Sequence, residues 1–122
     1  MDRKTNGSNS IIISEEVIGK VASMAAKDVA GVADVVAKPV NIKGLFKDKL
    51  AKAVVVEMFG KAAVIDIYVK LIEGFRLQNV AESIQKAVKE QVQNMTGIVV
   101  TKVNVHVCEI ELKNENDTVE EA

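Results

Sequence analysis

The chain has 122 residues, enough for one ordinary hydrophobic core and too few for two. Hydrophobic residues make up 48% and charged residues 27%, which excludes a disordered chain, and no apolar run approaches the ~20 residues a membrane-spanning helix needs. With 16 basic and 17 acidic residues the net charge is −1, so nothing global draws the chain onto nucleic acid or an anionic membrane.

Aromatic residues are only 3%, with no Trp, so the core must be built from Val, Ile, Ala, Leu and Met. The lone cysteine, Cys108, cannot form an internal disulfide. No signal peptide is legible at the start, and the expected location is the cytoplasm.

Residues 1–10 are polar and without periodicity and are expected to be a disordered N-terminus. Ile11 to Ile13 reads as a short strand. Ser14 is placed as an N-cap, with Glu15 and Glu16 where carboxylates favour the positive end of a helix. Val17, Ile18, Val21, Ala22, Met24, Ala25 and Val29 then recur at helical spacing, and Gly31 is expected to stop that helix. Val32 to Ala37 reads as a strand ending near Pro39, and 41–52 as a Lys-rich connector.

Val54, Val56 and Met58 alternate with Val55 and Glu57. After the turn Phe59-Gly60-Lys61, Ala63, Ile65, Ile67, Val69 and Leu71 alternate with Val64, Asp66, Tyr68 and Lys70, which predicts a hairpin. Asn79 is a candidate N-cap for a second helix carrying Val80, Ile84, Ala87, Val88, Gln91, Val92 and Met95, stopped at Thr96-Gly97. The last strand points Val99, Val103, Val105 and Val107 one way and Lys102, Asn104, His106 and Cys108 the other. Beyond Cys108 the phase slips, since Ile110 and Leu112 take the polar side, and a bulge or strand end near Glu109 explains it. Residues 113–122 read as an acidic flexible tail.

The pattern predicts an α+β fold of order β-α-β-β-β-α-β, with 11–112 as a single domain. Both helices carry one apolar stripe, so both cover one face of a mixed sheet in an open two-layer α/β sandwich. The other face then presents Glu57, Asp66, Tyr68, Lys70, Lys102, Asn104 and His106.

The run Val80-Ala81-Glu82-Ser83-Ile84-Gln85-Lys86-Ala87-Val88-Lys89, then Asn94-Met95-Thr96-Gly97, then Val103-Asn104-Val105-His106-Val107, resembles the alkaline shock protein family of Gram-positive bacteria. Ile13-Ser14-Glu15-Glu16-Val17-Ile18 and Ala30-Gly31-Val32 look like that family's opening, so the resemblance covers roughly 11–112. It implies a non-enzymatic cytoplasmic protein of the alkaline or cell-envelope stress response. It also implies self-assembly into a homo-oligomer in some members, and tethering by a small membrane-anchor protein in others. No catalytic residue and no cofactor follow from it. Phe75-Arg76-Leu77 and the Lys-rich connector depart from the family's pattern.

Read for chemistry, the residues support little else. His106 with Cys108 supplies two metal ligands where a site needs more, and no third group orients them as a nucleophile pair. Asp66, Glu57 and Asp34 read as solvated strand positions, and the glycines as turn or stop positions, not a phosphate loop. A single-stranded nucleic-acid module of βαββαβ type is the alternative, but Tyr68 alone does not make an aromatic platform. Expected partner-binding positions are therefore Tyr68, Lys70, Lys102, Asn104 and His106 on the open face, with Phe46 and Lys47 on the connector.

Overall fold

The computed structural model describes residues 10–37 and 53–112. The expected disordered N-terminus, the connector with Phe46 and Lys47, and the acidic tail 113–122 lie outside the described residues.

The first helix, α1, spans Glu15–Lys27 and is capped as expected, the Ser14 hydroxyl accepting the Val17 N–H at 3.1 Å. Its buried stripe is Ile18, Val21, Ala22, Ala25 and Ala26. Three alanines and Gly19 let the helix lie close to the sheet, with Gly19 beside Val54 and Val56. Val17 and Met24, expected in the stripe, fall outside it and are exposed, because the face pressed on the sheet is narrower than the apolar arc. Helix α1 ends at Lys27 with Asp28 as its cap, so Gly31 is not the stop. Gly31 instead makes the turn into the sheet at φ 97°, and its carbonyl accepts the Ile72 N–H at 2.8 Å.

Strands β1 (Val32–Val35), β2 (Val54–Phe59), β3 (Ala62–Ile72) and β4 (Val99–Glu111) form one mixed sheet. β3 is its spine. Ala63, Ile65, Ile67, Val69 and Leu71 are fully buried and alternate with half-buried residues, as the period-2 pattern predicts. β2 joins β3 through the two-residue turn Gly60-Lys61, with Phe59 opposite Ala62. β1 and β2 both run antiparallel to β3 along the same edge, meeting end to end at Tyr68. There the Val36 N–H reaches the Tyr68 carbonyl, and the Tyr68 N–H reaches the Ala53 carbonyl. Val36 and Ala53, near the ends of the two described segments, therefore both lie beside Tyr68.

The second helix, α2 (Leu77–Thr96), carries the chain back so that β4 pairs parallel to β3 on its other edge. It begins at Leu77, and its cap is Arg76, three residues before the expected cap Asn79, with no side-chain cap bond. Its buried stripe is Val80, Ile84, Val88 and Val92; Gln91 and Met95 lie off it. It ends as expected at Gly97, in the left-handed conformation at φ 77°.

Ile11–Ile13, expected as a leading strand, approaches α1 without joining the sheet, although Ile13 packs against the core. The remaining elements follow the expected order, and both helices lie on one sheet face.

β4 departs from simple alternation twice. The register skips Thr101 and again Cys108, so each is the extra residue of a bulge. The first bulge corrects the expected core: Val99 is 53% exposed, and Val100, opposite Ala63, is buried in its place. The second bulge is the expected slip. It puts Ile110 opposite Leu71, on the helix side, and Glu109 opposite Lys70.

Candidate functional site on the bare sheet face

With both helices on one face, the other face of β3 and β4 is bare among the described residues. The register pairs Asp66 with Asn104 and Tyr68 with His106 on neighbouring parallel strands, so four polar side chains form a square. Within it, the Asn104 amide donates to Asp66 Oδ1 at 3.1 Å, and His106 Nε2 lies 2.9 Å from the same oxygen. The Tyr68 and His106 rings stack, centroids 4.3 Å apart and planes 10° from parallel. One carboxylate therefore fixes both β4 side chains, and the stack fixes Tyr68 against them. A partner meeting this surface meets side chains that have already lost their rotamer freedom.

Around the square the character of the face changes along the strands. At one end half-buried Lys70 lies 4.0 Å from Glu109 and 3.7 Å from Glu111, whose exposed carboxylates are screened by solvent, so the pairs contribute little to stability. At the other end Phe59, Ala62 and Val99 form a row across three strands, with Phe59 and Val99 more than half exposed. Burial pushes the Tyr68 phenol above its usual value, and the neighbouring Asp66 carboxylate adds to the shift.

The five expected site residues within the described chain, Tyr68, Lys70, Lys102, Asn104 and His106, thus share one face. Asp66, expected to be a solvated strand position, ties two of them together, Asn104 and His106, and the ring stack on His106 adds Tyr68. The missed signal is the matched spacing of Asp66-x-Tyr68 and Asn104-x-His106 on strands destined to pair in register. Cys108 sits in the bulge with its Sγ 3.8 Å from the His106 carbonyl, out of the ring square. Among the described residues, no group of three or more His, Cys, Asp or Glu side chains is placed to hold a metal ion.

A family model of cell envelope-related function, that of the alkaline shock proteins, matches residues 3–112. The chain belongs to this family. It is 30% identical to the uncharacterized protein Spy1614 of Streptococcus pyogenes serotype M6, over 95% of this chain and all of that one. It is 32% identical to the uncharacterized protein YloU of Bacillus subtilis, over 85% of this chain and 90% of that one. Among solved structures it is similar to MamM-CTD, with a TM-score of 0.50 at 16% identity, covering 79% of this chain and 99% of that one. At that identity the likeness concerns the fold alone. Family membership brings a cell envelope-related function; what performs it must be sought on the surface of this chain.

Proposed function

We propose that the chain is a non-enzymatic scaffold of the cell-envelope stress response, acting through self-assembly and through docking on a membrane-anchored protein partner. The same proposal places it in the cytoplasm. No helix among the described residues is long and apolar enough to cross a membrane. Contact with the membrane then runs through the small anchor protein.

One observation carries the reading. A sheet clothed by helices on one side presents a bare face on which Asp66, Asn104, His106 and Tyr68 hold one another in place, flanked by the apolar row of Phe59, Ala62 and Val99. Fixed polar groups beside exposed apolar surface are the composition of a protein interface: the apolar part supplies burial and the polar part supplies register. The surface is too open to exclude water from a reacting group, which argues for contact over catalysis.

The same face argues against nucleic acid as the partner. Among the described residues of that face Lys70 and Lys102 are outnumbered by Glu57, Asp66, Glu109 and Glu111, so a phosphate backbone would meet net negative charge from them. A gel shift with single-stranded RNA at low salt checks this, and no retarded band is expected.

The test of the main reading is the purified full chain studied by light scattering, with crosslinking in the cells that make it. A captured partner lost on replacing Asp66 and His106 by alanine is the expected result. A strict monomer at high concentration with no captured partner overturns it.

A further inference from the structure

We infer that β4 is the dimerisation strand of this protein: its outer edge pairs antiparallel with the β4 edge of a second copy, about a two-fold axis at Val105. The inference rests on the scaffold reading and names its first partner.

β4 is thirteen residues long and pairs with β3 on one side only; among the described residues, no strand lies on the other. The orientation of its backbone groups follows from the register. The Val99 N–H donates to Lys61 and the Glu111 carbonyl accepts from Glu73, so both turn toward β3. Val99 and Glu111 lie opposite Ala62 and Ile72, and Lys102, Asn104, His106 and Glu109 lie opposite the even-numbered β3 residues between them. All of these turn inward, and Val100, Val103, Val105, Val107 and Ile110 turn outward.

Two outward groups are already occupied by glutamines of α2. The Val100 N–H donates to Gln93 Oε1 at 3.0 Å, and the Val103 carbonyl accepts from Gln85 at 3.1 Å. Such side-chain caps blunt an edge against pairing. They stop at Val103. Beyond it the N–H and C=O groups of Val105 and Val107 carry no such cap from any described residue, and the Val103 carbonyl keeps a second lone pair.

The open half of the edge is also the apolar half. On the helix-side face Val107 and Ile110 are 39% and 40% exposed, although the β3 residues opposite them, Val69 and Leu71, are fully buried. At the same end Phe75 and Leu77, leading into α2, are exposed as well. An incoming strand would extend the sheet beneath this surface and cover part of it.

Charge selects the occupant. Going along β4, the bare face runs Lys102, Asn104, His106, Glu109: basic first, acidic last. A parallel copy would set like against like. An antiparallel copy centred on Val105 sets Val103 against Val107 and Asn104 against His106. With Cys108 bulged out, it then sets Lys102 against Glu109, twice by symmetry. The strand is complementary to itself reversed, which is what a two-fold, isologous interface requires.

The test is sedimentation equilibrium of the full chain carrying Lys102→Glu, Glu109→Lys, or both. Each single reversal places like charges opposite each other at two symmetric positions and should weaken the dimer about tenfold. The double reversal should restore it to within about threefold of the parent, because the pair is only exchanged. Circular dichroism confirms that each variant is folded. A dimer indifferent to the single reversals, a double variant no better than the singles, or a monomeric parent overturns the pairing. A Tyr68→Ala variant separates the two proposals: partner capture lost there while the dimer persists keeps both, and partner capture intact with a monomeric parent discards the edge alone.

Discussion

Tyr68 stands where β1, β2 and the bare face meet, and the fold perturbs the titration of its phenol. Its pKa is raised above 10.0 because burial and the Asp66 charge both disfavour the phenolate. A raised pKa means that the folded state holds its proton more tightly than the unfolded chain. The associated stability is whole below the ordinary phenol value and is lost as pH climbs through the raised one. Thermal melts should therefore fall more steeply above pH 10 in the parent than in Tyr68→Phe, which has no proton to lose. Gly31 gives a second residue-scale prediction. A Cβ there would lie 2.8 Å from Val80 and 3.0 Å from Phe75, on a backbone already at φ 97°. Gly31→Ala should cost about 2–4 kcal/mol in denaturant unfolding, from the left-handed strain and the overpacking together. The sequence marks this glycine as special but assigns it to a helix end; its close neighbours come from a segment more than forty residues away, which no local pattern reveals.

Among the elements, β4 was the hardest to read and explains the most. Its valines alternate well enough to predict a strand, and the slip after Val107 announces the bulge at Cys108. The bulge at Thr101 hides because Val99 and Val100 are adjacent and chemically alike, so an alternation count accepts either as core. The consecutive polar pair Thr101-Lys102 was the available sign. β3 is the opposite case: eleven residues with strict alternation leave only one face free to be buried, and the sequence suffices. α2 was legible in its stripe and its Gly97 stop, but not in its start, where Arg76 takes the cap position without a side-chain bond. The helix also guards the sheet edge. Gln93→Ala should cost about 1 kcal/mol through the lost bond to the Val100 N–H, measured by chemical denaturation. It should also increase association of the chain, measured by light scattering, since it uncaps part of the β4 edge.

For the whole molecule, the two-layer plan follows from counting stripes: two helices with one apolar side each cover one sheet face and leave the other bare. That inference needs only the sequence, and so does the membership of Tyr68, Lys70, Lys102, Asn104 and His106 in the bare face. Their organisation needed the register. Nothing in the chain order says that Asp66 will lie beside Asn104 and not Val103; that depends on the one-residue offset introduced at Thr101. The central claim is that this face, and not the helical layer, meets the partner. An aromatic photo-crosslinking residue placed at exposed position 59 on that face, compared with one at exposed position 27 on α1, tests it in the cells that make the protein. Discrete crosslinked protein species are expected from position 59, lost with Asp66→Ala and absent from position 27. Equal capture from both positions, or capture from position 27 alone, would contradict it.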